Sequence, residues 1–308
     1  KKTLNTRSKL AAAPYLLWMV VFIVVPLILI AVFAFTTTAT CDAEGNILSE
    51  EELADYLAEC EENETEPELT EKTIFTLQNI LDVSKYTTVL INSAWLALIA
   101  TVICLVIAYP LAYMISRMFY TRQKLALMLV MLPMWMNFLL RTYAWMTLLE
   151  KNGLINKLFG LIGLGPFNMI NTQGAVVLGM IYNYLPFMIL PLYSVMTKID
   201  NRTVEAAQDL GANSFQVISR VIVPLSMPGV ASGITMVFVP SVSTFIISRM
   251  LGGGTNMLIG DLIDLQFLGN AYNPNLGAAI SLVLMVFIFL CMSITNQLDN
   301  EEMDGVLL

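Results

Sequence analysis

The side chains that usually carry out enzymatic chemistry are scarce in this sequence. Its 308 residues include no histidine, which excludes imidazole acid–base catalysis and histidine metal sites. Gly252-Gly253-Gly254 is not a phosphate-binding P-loop, because no Lys-Ser or Lys-Thr pair follows it. The four cysteines lack the paired spacing of a metal site. The sequence therefore favours a protein that is not an enzyme, with no catalytic residue, metal or cofactor.

The composition is that of a polytopic membrane protein. Hydrophobic residues make up 57% of the chain and charged residues 13%, whereas soluble domains have about 25% charged residues. Continuous apolar stretches of this length predict an all-α fold with six transmembrane helices in a domain of residues 14–298. The third span meets Arg141 and continues less regularly to Leu149. The six predicted spans are Pro14–Phe35, Val89–Ser116, Leu125–Leu140, Gly174–Thr197, Val221–Ile247 and Leu276–Ile294.

The basic residues predict the orientation of these spans. Ten of the sixteen lie in the tail at 1–13, in the loop at 117–124 and between Lys198 and Arg220. Positively charged loops stay in the cytoplasm, so both termini, including the tail at 299–308, are expected there. No cleavable signal is evident. A multi-pass protein of a bacterial inner membrane is expected, with residues 41–85, 150–172 and 249–275 on the extracytoplasmic side.

The predicted outer loop at 41–85 holds thirteen carboxylates between Asp42 and Glu71. Ser49 and Glu52 form a capping-box pattern that predicts a helix over residues 50–59. Cys41 and Cys60 flank this helix on the side where disulfides form, and a bridge would stabilise the loop by roughly 3 kcal/mol. Two free thiols are the alternative. The loop is interpreted as a solvated spacer, with concentration of cations as the other possibility.

Charges are almost missing from the predicted spans. No Asp, Glu or Lys falls inside them, although gradient-driven transporters usually place such residues near the membrane midplane. Arg141 is the exception, and it either snorkels in an aromatic belt with Tyr143 and Trp145 or lines the outer mouth of a pathway. The lack of buried carboxylates argues against proton or sodium coupling and favours an energy source on a partner subunit.

A polar segment at Asp200–Pro228, DNRTVEAAQDLGANSFQVISRVIVPLSMP, interrupts the apolar second half of the chain. Asp200 predicts the N-cap of a helix to about Leu210, and Gly211 fits the left-handed position that ends it. Asn213 or Ser214 can cap a second short helix that runs into the apolar residues from Val221. A helix–turn–helix of this kind between two spans is interpreted as a docking element.

This segment resembles the EAA loop of ATP-binding-cassette importer permeases, in which EAA, three residues, Gly, nine residues and Ile-x-Leu-Pro follow one another. Val221 and Val223 replace the usual Ile and Leu. The resemblance implies a type I importer permease fold, with residues 198–223 as a cytoplasmic loop that docks on the ATPase. The residues that match the pattern are Glu205, Ala206, Ala207, Gly211 and Pro224.

Three further stretches are similar to the first permease subunit of spermidine/putrescine importers: Leu139–Asn156, Asn183–Met196 and Leu251–Phe267. The resemblance implies polyamine import with two copies of an ATPase, a second homologous permease and an extracytoplasmic binding protein. The enlarged outer loop departs from the family pattern. The alternatives are another small solute, such as an iron complex, sulfate or a phosphonate, and a gradient-driven transporter.

A flexible polycation needs carboxylates at the mouth of its path and aromatic faces along it. Asp261 and Asp264 lie three residues apart on a predicted short outer helix and therefore on one face. Aromatic residues of membrane spans are also common as packing residues and interface anchors, and this alternative stays open. The candidate path residues are Trp135, Arg141, Tyr143, Trp145, Tyr182, Tyr184, Phe245, Asp261 and Asp264. The chain is expected to contact membrane lipid, and nucleic acid is not an expected partner.

Overall fold

The computed structural model describes residues 14, 15, 17–41, 70–254, 256–269 and 272–306. Within them, five helices are long and apolar enough to cross a membrane, and a sixth span is present if one sharply bent pair of helices counts as a single crossing. The expected all-α fold with six spans is confirmed at this level. The helices are α1 (Leu17–Ala34), α2 (Gln78–Val83), α3 (Thr87–Ser116), α4 (Tyr120–Met131), α5 (Phe138–Leu149), α6 (Leu154–Leu161), α7 (Gln173–Met196), α8 (Asn201–Asp209), α9 (Ser214–Val217), α10 (Val223–Val242), α11 (Ile246–Gly252), α12 (Ile259–Leu268) and α13 (Pro274–Val306).

The predicted third span is broken. The helical stretches Tyr120–Trp135 and Phe138–Leu161 meet at an angle of 90°. A 3₁₀ turn at Leu132–Trp135 contains Pro133, and Met136 is extended. Asn137 then starts α5 by accepting hydrogen bonds from the backbone N–H groups of Leu139 and Leu140. The span was expected to continue less regularly past Arg141 to Leu149, and the irregularity is a sharp bend, because Pro133 is followed by the strong N-cap residue Asn137.

The chain divides into two compact units. The first comprises residues 1–87 and 265–285. Its small core is formed by Ala34, Ala278 and Ala279, with Phe267 packed against them. It also contains two antiparallel strands, β1 (Thr36–Cys41) and β2 (Thr70–Phe75), paired from Thr36 opposite Phe75 to Cys41 opposite Thr70. The sequence interpretation did not anticipate this ribbon. The helix expected at residues 50–59 and Cys60 lie outside the described residues, so the Cys41–Cys60 disulfide stays a prediction.

The second unit comprises residues 88–264 and 286–308, and its core centres on α7. Gly229 and Gly233 on α10 allow close approach to α7, because a Cβ at Gly233 would lie 2.6 Å from Met188 Sδ. Such small residues let membrane helices pack backbone to backbone. Gly179 plays the same part towards α11, where a Cβ would lie 2.8 Å from Leu251 Cδ1. The predicted fifth span ends at Val242 rather than Ile247, and α11 is a separate helix.

Candidate functional site

The segment Asp200–Pro228, called the EAA segment from here on, forms the predicted helix–turn–helix. Asp200 caps α8 by accepting from the backbone N–H of Arg202 at 3.0 Å. Asn213 caps α9 in a reciprocal capping box with Gln216, in which each side chain accepts from the other residue's backbone N–H at 2.9 Å. Both N-caps therefore come from short polar side chains that satisfy helix-end donors.

Gly211 ends α8 as predicted. Its φ is +86°, in the left-handed region. The N–H of Gly211 bonds to the carbonyl of Gln208 at 2.8 Å, and that of Ala212 bonds to Ala207 at 3.1 Å. These two bonds make a Schellman motif. The turn is thus defined by local backbone chemistry, and it holds α8 and α9 in a fixed relation.

The surface of the EAA segment is apolar at its turn. Leu210 is 90% exposed and Phe215 is 77% exposed, on either side of Gly211. Glu205 and Ala206 are also exposed, whereas Ala207 is half-buried. Two large apolar side chains beside small alanines and a carboxylate form a surface suited to contact with another protein.

Tyr109 of α3 and Arg117, the residue that follows α3, make hydrogen bonds at the two ends of the EAA segment. The Arg117 guanidinium donates to the Asn201 side chain and to the carbonyl of Ile199 at 3.4 Å. The Tyr109 hydroxyl shares a 2.8 Å hydrogen bond with Ser226, which is buried. The sequence interpretation did not pair these residues with one another, since nothing in the local pattern shows which side chains meet across 82 to 117 positions.

Arg141 is buried, with 8% of its surface exposed. It donates through Nη1 to the carbonyl of Pro133 at the bend before α5. The guanidinium carbon lies 5.6 Å from the ring centre of Phe138 and 5.8 Å from that of Tyr182. The interpretation that Arg141 snorkels towards solvent is therefore wrong, because its charge is enclosed by aromatic faces and a backbone carbonyl. Its Nε, which is buried, has no hydrogen-bond partner among the described residues.

The aromatic residues predicted to line the path lie in different environments in the structure. Trp145 and Tyr182 form an edge-to-face pair at 5.2 Å beside Arg141. Tyr184 is buried, and its hydroxyl donates to the carbonyl of Pro240 at 3.3 Å. Three others stay exposed at the surface of the isolated chain: Trp135 at 79%, Tyr143 at 50% and Phe245 at 37%. Of the predicted lining residues, Trp145 and Tyr182 thus form one cluster with Arg141.

Asp261 and Asp264 lie on α12, as predicted, but they differ in environment. Asp264 forms an ion pair with Arg249, a residue that the sequence interpretation did not include. Asp261 is 5% exposed and accepts from the backbone N–H of Leu258 at 3.0 Å. Burial raises the pKa of the Asp261 carboxyl, partly offset by the neighbouring Ser248 hydroxyl, the Leu258 amide and Arg249. Its other oxygen has no partner among the described residues.

The N-terminus of α12 is attached to α3. The backbone N–H of Ile259 donates to Ser93 Oγ at 2.8 Å, and Ser93 is fully buried. Gly260 touches the chain between α10 and α11, where a Cβ would lie 2.5 Å from the carbonyl oxygen of Ser243. The start of α12 is therefore held by one side chain and by close backbone packing.

The second unit also has a groove of about 310 Å³ that is unsuited to a polycation. Its lining side chains are all apolar: Leu90, Ile91, Ala94, Trp95, Leu98, Phe238 and Phe287. Within the described part of the chain, no group of three or more His, Cys, Asp or Glu residues could hold a metal ion.

Comparison with known proteins supports a transport function. Residues 74–301 match the family described as binding-protein-dependent transport system inner membrane component. The spermidine/putrescine transport system permease protein PotB of Haemophilus influenzae is 41% identical over 224 residues, which cover 71% of this chain and 78% of that protein. PotB of Escherichia coli is 37% identical over 241 residues, which cover 76% of this chain and 87% of that protein.

Solved structures share the fold. A chain of the crystal structure of a bacterial ABC transporter involved in the import of the acidic polysaccharide alginate matches with a TM-score of 0.69. The match covers 96% of each chain at 17% sequence identity, and at this identity it bears on the fold alone. The chain belongs to the family of binding-protein-dependent transport system inner membrane components, and it is a multi-pass ABC importer permease.

Proposed function

We propose that this permease forms half of the translocation pathway for polyamines, with spermidine and putrescine as substrates, in an ATP-driven importer. The observation that carries the coupling part is the exposed, capped helix–turn–helix of the EAA segment. The substrate class follows from PotB relatives that are 37–41% identical over most of the chain. The matching EAA residues supply the contact with a separate ATPase, and this chain supplies pathway rather than hydrolysis.

The proposed assembly contains this chain, a second homologous permease, two copies of the ATPase and an extracytoplasmic binding protein. Both termini and the EAA segment lie in the cytoplasm, in keeping with the basic loops. ATP binding closes the ATPase pair and moves α8, and the cavity between the permeases then changes from inward- to outward-facing. The groove in this chain is apolar, in keeping with a substrate path between the two permeases.

In this proposal, the path uses the aromatic cluster of Trp145 and Tyr182 and the carboxylates of α12. Because Arg141 already occupies the Tyr182 face and Arg249 already pairs with Asp264, the permease offers only a weak site for a polycation. A weak site suits transport, since a substrate that binds tightly leaves slowly. Affinity is then set by the binding protein.

The test is uptake of radiolabelled spermidine into proteoliposomes that contain the whole complex and binding protein. Uptake should require ATP, and sulfate should not compete. Glu205→Lys on exposed α8 should abolish uptake while the protein remains in the membrane. Glu150→Lys, the same change at an exposed site directly after α5, is the control and should retain uptake. Uptake without ATP, or normal uptake by Glu205→Lys, would refute the coupling role.

A further inference from the structure

The long helix α3 makes polar contacts at three points along its length. Its partners, the EAA segment and α12, are elements that must move together in the proposed mechanism. Directly after its C-terminal end, Arg117 donates a hydrogen bond to Asn201 at the start of α8. Further up, Tyr109 holds Ser226 at the far end of the EAA segment. Near its N-terminal end, Ser93 caps Ile259 at the start of α12. Helix α3 therefore contacts both ends of the EAA segment and the helix that carries Asp261 and Asp264.

We propose that Arg117 and Ser93 are positioning residues through which α3 transmits the displacement of α8 to α12. This inference rests on the proposed function, because it needs an ATPase that moves α8. Arg117 and Ser93 are 24 positions apart in the sequence, so they are separated by about 36 Å along a helix with 1.5 Å rise per residue. That distance exceeds the roughly 30 Å thickness of the hydrocarbon core.

The contact at the Arg117 end resists sliding. Its Nη1 reaches two acceptors, Asn201 Oδ1 and the carbonyl of Ile199, on either side of the N-cap Asp200. The guanidinium carbon also lies 5.5 Å from the ring centre of Tyr113, one turn earlier on α3. The buried Nη2 has no partner among the described residues. Nη2 can therefore donate a hydrogen bond to the loop backbone when α8 shifts, so that Arg117 stays in contact with the loop.

The contact at the Ser93 end is also specific. Ser93 Oγ donates to the carbonyl of Val89 at 2.8 Å and so presents its lone pairs to Ile259 N–H. The next residue, Gly260, packs against the carbonyl oxygens of Ser243 and Thr244. The start of α12 is held between α3 and this backbone, so a shift of α3 moves α12 or breaks the Ser93 bond.

The experiment reports movement of α12 without depending on which solute is carried. The four native cysteines are first replaced by serine, and a wild-type ATPase rate is confirmed. Met257→Cys, two residues before α12, is then introduced into the full complex. The rate of labelling with a membrane-impermeant maleimide is measured with and without ATP plus vanadate. With Arg117 and Ser93 intact, ATP should change this rate.

Arg117→Gln and Ser93→Ala should each reduce the ATP-dependent change about tenfold, a coupling loss within the usual range for linked sites. Arg117→Lys, which keeps the positive charge and a hydrogen-bond donor, should retain part of the ATP-dependent change in labelling rate. ATP hydrolysis itself should continue, because the ATPase site is untouched. A uniform loss of folded protein would instead lower hydrolysis and labelling together and would overturn the positioning role.

Two matched controls separate position from charge and burial. Arg122→Gln removes the same charge from an exposed arginine whose side chain makes no hydrogen bond or ion pair with described residues. Ser241→Ala removes a buried serine whose hydroxyl bonds only to Val237 of its own helix in the described structure. Both should retain the ATP-dependent change. If Arg117→Gln also retains it, the inference is wrong, even where spermidine uptake confirms the proposed function. If labelling depends on Arg117 while spermidine is not carried, the inference stands and the substrate assignment fails.

Discussion

Gly211 offers a quantitative test of the turn in the EAA segment. Its φ of +86° is unfavourable for residues with a Cβ, yet a Cβ there would meet nothing within 4 Å. Substitution therefore adds conformational strain without a steric clash. The left-handed conformation costs an L-residue about 1–2 kcal/mol. If ATPase binding requires this turn, Gly211→Ala should lower the affinity for the ATPase roughly 5- to 30-fold, since about 1.4 kcal/mol corresponds to a tenfold change in affinity.

The graded series makes this prediction specific. Gly211→Asn should lose less than Gly211→Ala, because Asn tolerates the left-handed region, whereas β-branched Gly211→Val should lose more. Gly211→Asp should uncouple ATP hydrolysis from uptake, since it adds a negative charge to the docking surface. The dissociation constant between the purified permease pair and the ATPase is the measurement, alongside ATP-driven uptake.

Gly163 is the matched control for this series. It also has a positive φ, +77°, at the end of α6, with nothing within 4 Å of a Cβ. Gly163→Ala should therefore carry the same strain without changing ATPase affinity. If Gly211→Ala and Gly211→Val both bind the ATPase like wild type, the left-handed turn is not needed for docking, and the reasoning from φ to coupling is refuted.

Three other predictions concern α12. Asp261→Asn combined with Asp264→Asn should lower spermidine uptake. The control is Asp82→Asn, which removes a carboxylate from the ion pair with Lys85. Unaltered uptake kinetics in the double variant would show that Asp261 and Asp264 do not line the path. Because burial raises the pKa of Asp261 above 3.8, the stability from its neutral form is present below the unfolded pKa and is lost as pH rises through the folded pKa. The melting temperature of wild type should thus fall relative to Asp261→Asn as the pH rises above about 4, the pKa of an unfolded aspartate, and parallel curves would contradict this. Gly260→Ala should lower the free energy of unfolding by about 1–3 kcal/mol, because the added Cβ overpacks against backbone oxygens 2.5 and 2.6 Å away. Gly160→Ala is the control, since a Cβ there meets nothing within 4 Å, and it should leave the melting temperature near that of wild type.

Features set by neighbouring residues were predictable from the sequence. Asp200 and Gly211 mark the ends of α8 because capping depends on the side chain and backbone of those residues alone. Apolar runs of about 20 residues likewise predict spans, since the hydrocarbon core demands that length. Pro133 and Asn137 are also local signals for the bend, but the apolar run continues past them, and it predicted only a less regular continuation of the third span.

Features that depend on distant partners were not predictable. Nothing near Asp264 shows that Arg249 neutralises it, and nothing near Arg117 shows that Asn201 is its acceptor. The burial of Arg141 depends on Tyr182 of α7, whereas its neighbours Tyr143 and Trp145 gave the pattern of an interfacial belt. Such pairings are set by helix packing, which a single sequence does not encode locally.

The 90° bend before α5 restricts the surroundings that this chain can occupy. A bilayer offers no water to backbone groups, so irregular backbone is stable there only against protein or a wet cavity. Arg141 satisfies the carbonyl of Pro133, but Trp135 and Met136 remain 79% and 54% exposed in the single chain. Acyl chains alone are therefore an unsuitable solvent for this corner of the molecule. A solitary subunit would therefore have to thin the bilayer or admit water at this bend, whereas a partner subunit that covers it would remove that cost.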